Sequence, residues 1–311
     1  MRLWIAGATQ GRSASALARS HAALYTQAVL ASLEVGSRPP AVEVVLRHRG
    51  RHGLGHAFKG VSRAGDTLLL CTEGEVVVVR GDRILRTETH PWLNDVHHAA
   101  QIGDALHVVS TGTDAVIVEG RFLPVIPGVA PPSSDVRSMD LRPHRAHPNH
   151  LFVVGGRPHV TRGLLGDAIA LHDRATRWAL ADVVVHDGVV RSDGIWFTAV
   201  DGRLICVDPT AGRIVRTVAL APLGHRAPPL GWCRGLAFVD GIAWVGFTRL
   251  RATWSRRNLA WARGLLRGRV VASPHPTRLV GYDLGAEAQI GEVLVEEIGL
   301  DAIFGLVGPG P

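Results

Sequence analysis

The chain has 311 residues, 46% of them hydrophobic and 20% charged. That is the composition of a soluble globular protein, long enough for one large domain or two ordinary ones. No apolar run approaches the ~20 residues a membrane-spanning helix requires. The formal net charge is +7, but Lys59 is the only lysine and the arginines are spread along the whole chain. A nucleic-acid protein should instead cluster Arg and Lys on one face with aromatics. A GC-rich coding sequence would explain the Arg skew without a partner. Cys71, Cys206 and Cys233 are odd in number and far apart, which argues against a disulfide framework or a thiolate zinc site. The N-terminal "MRLWIAGATQGR" lacks the long apolar core of a secretory signal, so a cytoplasmic location is expected.

In chain order, "LWIAGA", "LYTQAVLASLEV" and "AVEVVLRHRG" read as three strands. Five segments with one shared grammar follow. They are "KGVSRAGDTLLLCTEGEVVVVRGDRILRTET", "DVHHAAQIGDALHVVSTGTDAVIVEGRFLPVI", "PNHLFVVGGRPHVTRGLLGDAIALHD", "VHDGVVRSDGIWFTAVDGRLICVDPTAGRIVRTVAL" and "CRGLAFVDGIAWVGFTRLR". Each alternates short apolar strands with Gly/Asp turns, and X-Gly dipeptides between such runs are hairpin signals. Repeats of roughly 40–50 residues holding about four short strands indicate a β-propeller. The expectation is one all-β domain over 1–311, a six-bladed β-propeller. Its last blade is closed circularly by the N-terminal strands and an innermost C-terminal "AIFGLV". A β-sandwich, or two small β-domains, is the competing architecture.

Polar residues recur where the first strand of each repeat begins. They are Asp95 and His97, then His147 and Asn149, then His186, then Arg234. In a propeller the innermost strands line a central channel, so equivalent positions one blade apart should face one another. Residues two apart share a face of an extended chain, which pairs Asp95 with His97 and His147 with Asn149. Their neighbours His98, His144 and His150 compete for these places, because a one-residue slip exchanges faces. Imidazoles suit divalent transition metals, and three on a rigid scaffold with open positions suit a catalytic metal. Arg234 would hold a carboxylate or phosphate. His97 and His186, with Arg234, are the candidate catalytic residues. Asp95, Asn149 and Arg234 are the candidate substrate-binding residues. One divalent metal on His97, His147 and His186 is the cofactor option, and metal-free acid–base work or ligand binding is the other.

These motifs resemble an uncharacterised bacterial propeller-like family, a domain of unknown function sometimes found beside tetratricopeptide repeats. Its members read "D-I-H-E", then "H-L-N-G-L … G-R-P-x-Y-V-T", then "P-H-S-P … D-G-x-L-W", then "T-R-G-L-x-F", and close with "E-E-I-F-D-V". On that pattern Asp95 and His97 match the first motif, His147 and Asn149 the second, His186 the third, and Arg234 with Gly235 the fourth. The resemblance therefore favours His97 over His98 and His147 over His150. It covers roughly residues 90–250 and the last thirty. The chain departs from it at His98 and Ala302, where the family has glutamates, while Asp301 keeps one carboxylate. The resemblance implies the propeller and the site but no reaction. In architecture the chain is more distantly similar to gluconolactonase-like, strictosidine-synthase-like and virginiamycin-lyase-like propellers. They imply metal-assisted hydrolase or lyase chemistry at the channel mouth, by fold analogy alone.

Before the last strands, "RLRATWSRRNLAWARGLLRGRVVASPHPTR" interrupts the repeat. Ser255 is a candidate N-cap and Gly268 stands near the end of a helix of about three turns. A helical insertion over 252–272 is expected. It would pack on the propeller, cover the channel mouth or meet a protein partner, and less readily an anionic surface. Two functions are thus expected to compete. One is a hydrolase, lyase or isomerase acting on a small molecule at the channel mouth. The other is a non-catalytic module that binds a small anionic or sugar-like ligand or a protein.

Overall fold

The computed structural model describes residues 1–11, 24–37, 40–173, 175–250 and 275–309. The expected helical insertion at 252–272 lies outside the described residues. Six four-stranded antiparallel sheets stand as blades around a common axis. The innermost strands are Gly60–Ala64, Val96–Ile102, Pro148–Val154, Val185–Arg191, Trp232–Val239 and Ala302–Val307. Each touches the next, and the last touches the first, so the ring is closed. Blade 1 joins the chain's two ends, because Ala302–Val307 pairs with Arg2–Gln10. The six-bladed propeller with circular closure is therefore the fold of this chain. No blade edge is left open at the ring joint, where a free strand would invite pairing with another chain.

The apolar residues explain the ring. A strand that is buried on both faces reads as a continuous apolar run, as in Thr67–Cys71 and Glu75–Arg80 of blade 2. These faces cannot be covered within a single blade. They pack instead into six clusters, one between each pair of neighbouring blades. The fourth strands face water and are polar, as in Arg83–Thr89. The apolar cores thus lie between blades, and the axis itself is left to polar side chains.

The innermost strands are irregular at one level. Register shifts occur between Val96 and His98, Pro148 and His150, His186 and Val189, and Cys233 and Leu236. In blade 1 the shift falls between Ile303 and Gly305. These are β-bulges, which re-aim side chains and are frequent at rims and active sites. The unpaired residues they leave are His97, Asn149, Asp187 with Gly188, Arg234 with Gly235, and Phe304. Blade 2 keeps a regular register, and its Gly60 instead lets two innermost strands close up. A Cβ there would stand 1.9 Å from the carbonyl oxygen of His97.

Gly60→Ala is therefore expected to lower the unfolding free energy by more than about 3 kcal/mol, at the upper end of single-site effects. Gly81, left-handed at φ +60, has nothing within 4 Å of its would-be Cβ. Gly81→Ala is expected to cost only about 1–2 kcal/mol of backbone strain. Urea unfolding of the two variants measures the difference, and equal losses would show that the close approach at Gly60 is not what constrains the hub.

Candidate functional site

The bulges bring the candidate residues to the axis. His97, Asn149, His186 and Arg234 line one cavity, together with His98, His150, Asp187 and Phe304. The ring of His147 packs edge-on to those of His97 and His186, with centroids 4.8 Å and 6.0 Å away. Asp95 stands beside them, its carboxylate 3.5 Å from Nδ1 of His97 and 3.6 Å from Nε2 of His144. The six residues singled out by spacing thus lie in one cluster. The space left for water-sized molecules is about 10 Å³, roughly the size of one water.

Two backbone turns feed these strands. Asp95 and His147 both adopt left-handed φ, 53° and 54°. Each precedes its bulge residue by two. Asp and His are among the side chains that tolerate this region best. The Asp114 carboxylate accepts hydrogen bonds from the backbone N–H groups of Arg145, Ala146 and His147, which fixes the second turn. Asp187 is left-handed as well, at φ 65°.

The charges at the hub are arranged around Lys59. Its ammonium group ion-pairs with Asp95 and, at 2.6 Å, with Glu73. Burial opposes the charge of Lys59, but the two carboxylates hold its pKa above the ordinary value. Burial likewise opposes ionisation of Asp95. Lys59, and after it the nearby histidines, nevertheless keep the Asp95 carboxyl well below the ordinary range. Burial pushes Glu73 up against the pull of Lys59. It also pushes Asp187 up against its hydrogen bonds from Thr198 and the Gly235 N–H.

The histidines are neutral because burial disfavours their charged form. It lowers His97 and His186 well below 6.5 and brings His98 and His147 down to about 3. Nδ1 of His97 meets the Asp95 carbonyl at 2.8 Å. A carbonyl can only accept, so Nδ1 carries the proton and Nε2 keeps its lone pair. Both ring nitrogens of His186, and Oδ1 of Asn149, are buried without a hydrogen-bond partner. Arg234 is only 6% exposed, and burial draws its pKa down to about 10. It donates to the Lys59 carbonyl at 2.8 Å and lies over the Phe304 ring. Among the described residues it has no ion pair.

Lys59, Glu73, Asp187 and Phe304 were not singled out by spacing. Lys59 carried a signal, as the chain's only lysine in the apolar context "AFKG". Asp187 and Phe304 were hidden because alternation assigns one residue in two to a face, and a bulge breaks that count. His98 and His150 stack on each other at 3.9 Å and line the same cavity. His144 lies against His147.

A ring of blades with a polar, bulge-built hub defines the class of protein as a six-bladed propeller. No family model matches the chain, and no curated protein matches it. Among solved structures the chain is similar to one in a nidogen/laminin complex, at 11% identity and a TM-score of 0.58, covering 99% of this chain and 98% of that one. It is also similar to the β-propeller domain of Myceliophteria thermophila Cps50 (Swd1), at 11% identity and a TM-score of 0.50, covering 85% and 82%. The WD40 β-propeller domain of Doa1 matches at 12% identity and a TM-score of 0.48, covering 94% and 87%. At such identities the likeness shows the fold alone.

The buried neutral histidines dictate a pH response. A histidine whose folded pKa is depressed contributes stability above its unfolded value of about 6.5, and that stability is lost as the pH falls. His97, His98 and His186 should each add up to about 1.4 kcal/mol per pH unit of acid sensitivity below that value. Glu73 and Asp187, raised by burial, act in the opposite sense and offset part of it. Urea midpoints recorded from pH 7.5 to 4 should therefore fall on acidification, with a shallower fall in His98→Leu. A flat profile would mean that these rings are hydrated in solution.

Proposed function

We propose that the hub binds one small anionic or polar ligand group, held by Arg234. The observation that carries this is the state of Arg234. A buried charge is costly unless it is paired, and the direct contacts of Arg234 are a backbone carbonyl and an aromatic face, with the Asp187 and Asp95 carboxylates acting on it from beyond ion-pair distance. It borders a cavity where both ring nitrogens of His186 and Oδ1 of Asn149 have no hydrogen-bond partner. An anionic oxygen would pair Arg234 and accept the N–H of His186, whereas Oδ1 of Asn149 calls for a donor. The cavity is far smaller than the roughly 300 Å³ of an ordinary small-molecule pocket. Only the end of a ligand would therefore be buried, with the remainder in the channel.

Catalysis is the second reading, and one observation favours it. His97 presents an unprotonated Nε2, its ring oriented through Nδ1 by Asp95, and that is the arrangement of a general base. Hydrolysis, elimination or isomerisation of the bound anion would use it. A divalent metal on His97, His147 and His186 is one of the two options that the sequence leaves open. The Nδ1 contact of His97 is what a metal-ligating histidine requires. Among the described residues, however, no three His, Cys, Asp or Glu side chains are gathered to hold a metal ion. The residues as they stand do not fit a three-histidine site.

Calorimetric titration with a panel of small carboxylates, phosphates and sugar acids tests the anion reading. Arg234→Met should weaken any binding by roughly 30-fold or more, since removing one member of a buried charge pair costs about 2 kcal/mol at least. Arg234→Lys should recover part of it. Unchanged affinity in Arg234→Met would overturn the proposal. Elemental analysis of the purified protein, with and without His97→Ala and His186→Ala, settles the metal separately.

A further inference from the structure

The hub occupies the level of the axis where the innermost strands begin, and that end is closed. The side chains of Lys59, Asp95 and His144 are no more than 13% exposed there. The segment from Val136 to Met139 is tied down beside them. Asn94 donates its amide to the Val136 and Met139 carbonyls, and the Gly53 N–H donates to the Ser138 hydroxyl. The axis changes character at the opposite end. Arg63, Gln101, Val153, Val190 and Phe238 each stand one residue before the closing pair of their blade's first hairpin, so they share one level. On three consecutive blades this level is apolar. Val153 is 38% exposed and Val190 49%. Neither joins an interblade cluster, although Phe152, Val154 and Val189 beside them do. A side chain on an innermost strand has a blade on either side, so exposure of this size opens onto the axis at its far rim. Between hub and rim, Val61, Phe304 and Leu306 line the cavity itself. His186 and Val190 lie on one strand, at most roughly 13 Å apart at about 3.3 Å per residue.

From this change of wall along one axis, we infer that the anion is an alkyl carboxylate, its head on Arg234 and its unbranched apolar tail laid past Phe304 and Leu306 toward Val153 and Val190. The inference rests on the anion reading above and names the part of the ligand that lies outside the hub. A hydroxylated tail would bring polar groups against valine and phenylalanine, where they lose water and gain no partner. An alkyl tail gains from the same surfaces. The space at the hub is about 10 Å³, close to one water, which suits a single chain and not a sugar ring. Gln101 and Arg63 stand on the other side of the rim, and Arg63 donates to the Gly308 carbonyl at 3.2 Å. The apolar path is therefore confined to the side of Val153, Val190 and Phe238.

Calorimetry on the full chain with acetate, butyrate and octanoate tests this. Affinity should rise roughly fourfold for each methylene that enters the channel, the effect of burying one such group. Octanoate should then bind roughly 30-fold or more tighter than acetate, and Arg234→Met should weaken it. Val190→Asp places a charge on the tail's path at a half-exposed position. It should lower the octanoate-to-acetate affinity ratio roughly tenfold, while Val190→Leu keeps the ratio. An unchanged ratio in Val190→Asp would overturn the path. Equal binding of acetate and octanoate, both lost in Arg234→Met, would leave the anion reading standing and overturn the apolar tail. Octanoate binding that is lost in Arg63→Met and kept in Arg234→Met would put the head at the rim and overturn both. Binding of none of the three acids would also overturn both.

Discussion

The ion pair between Lys59 and Asp95 is the interaction on which the hub depends. Lys59 is buried at the start of the innermost strand of blade 2, and its two carboxylate partners come from blades 2 and 3. Its backbone carbonyl receives Arg234 from blade 6. One residue therefore ties three blades at the axis. Breaking such a buried pair by removing one partner costs about 3–5 kcal/mol, because the remaining charge is stranded. The pair also keeps Asp95 ionised where burial alone would neutralise it. Asp95 in turn orients His97 through Nδ1 and faces His144. Nδ1 of His97 is held by the Asp95 backbone carbonyl, while the carboxylate that Lys59 keeps ionised faces His144.

The ring explains why so much polar material is tolerated at the axis. Interblade packing removes most apolar surface from water at roughly 25 cal/mol per Å², and six such clusters join neighbouring blades around the ring. The innermost strands can then carry bulges, left-handed residues and unpartnered polar atoms that a smaller fold could not sustain. Strained non-glycine residues cost of order 1 kcal/mol or more each and collect at functional sites. Here three of them, Asp95, His147 and Asp187, lie within or beside the cluster around one cavity.

Much of this was legible in the sequence, for a physical reason. Turn dipeptides and apolar runs are local signals, so the blades and the closure by "AIFGLV" could be read directly. The spokes were legible because a propeller converts a sequence interval into a spatial neighbour. The partners of those spokes were not. Lys59 and Glu73 come from the one innermost blade region without a bulge, and nothing in their spacing ties them to Asp95. Phe304 and Asp187 owe their places to bulges, which strand alternation does not anticipate. The separation of His97 from His98 proved less sharp than alternation implies, since both line the cavity.

The same geometry limits the chemistry that the hub can host. With His98 and His147 neutral down to about pH 3, none of the rings offers a ready acid near neutral pH. Arg234 and the ammonium of Lys59 are the cations of the cluster, and Lys59 is already committed to two carboxylates. A ligand arriving at the cavity therefore meets one available positive charge and several lone pairs. Proton abstraction suits such a site better than proton donation. Any proton taken by His97 would create a third buried cation beside Arg234 and Lys59. That cost falls only if the ligand's own negative charge stays bound, which makes anion binding a condition for base chemistry at this hub.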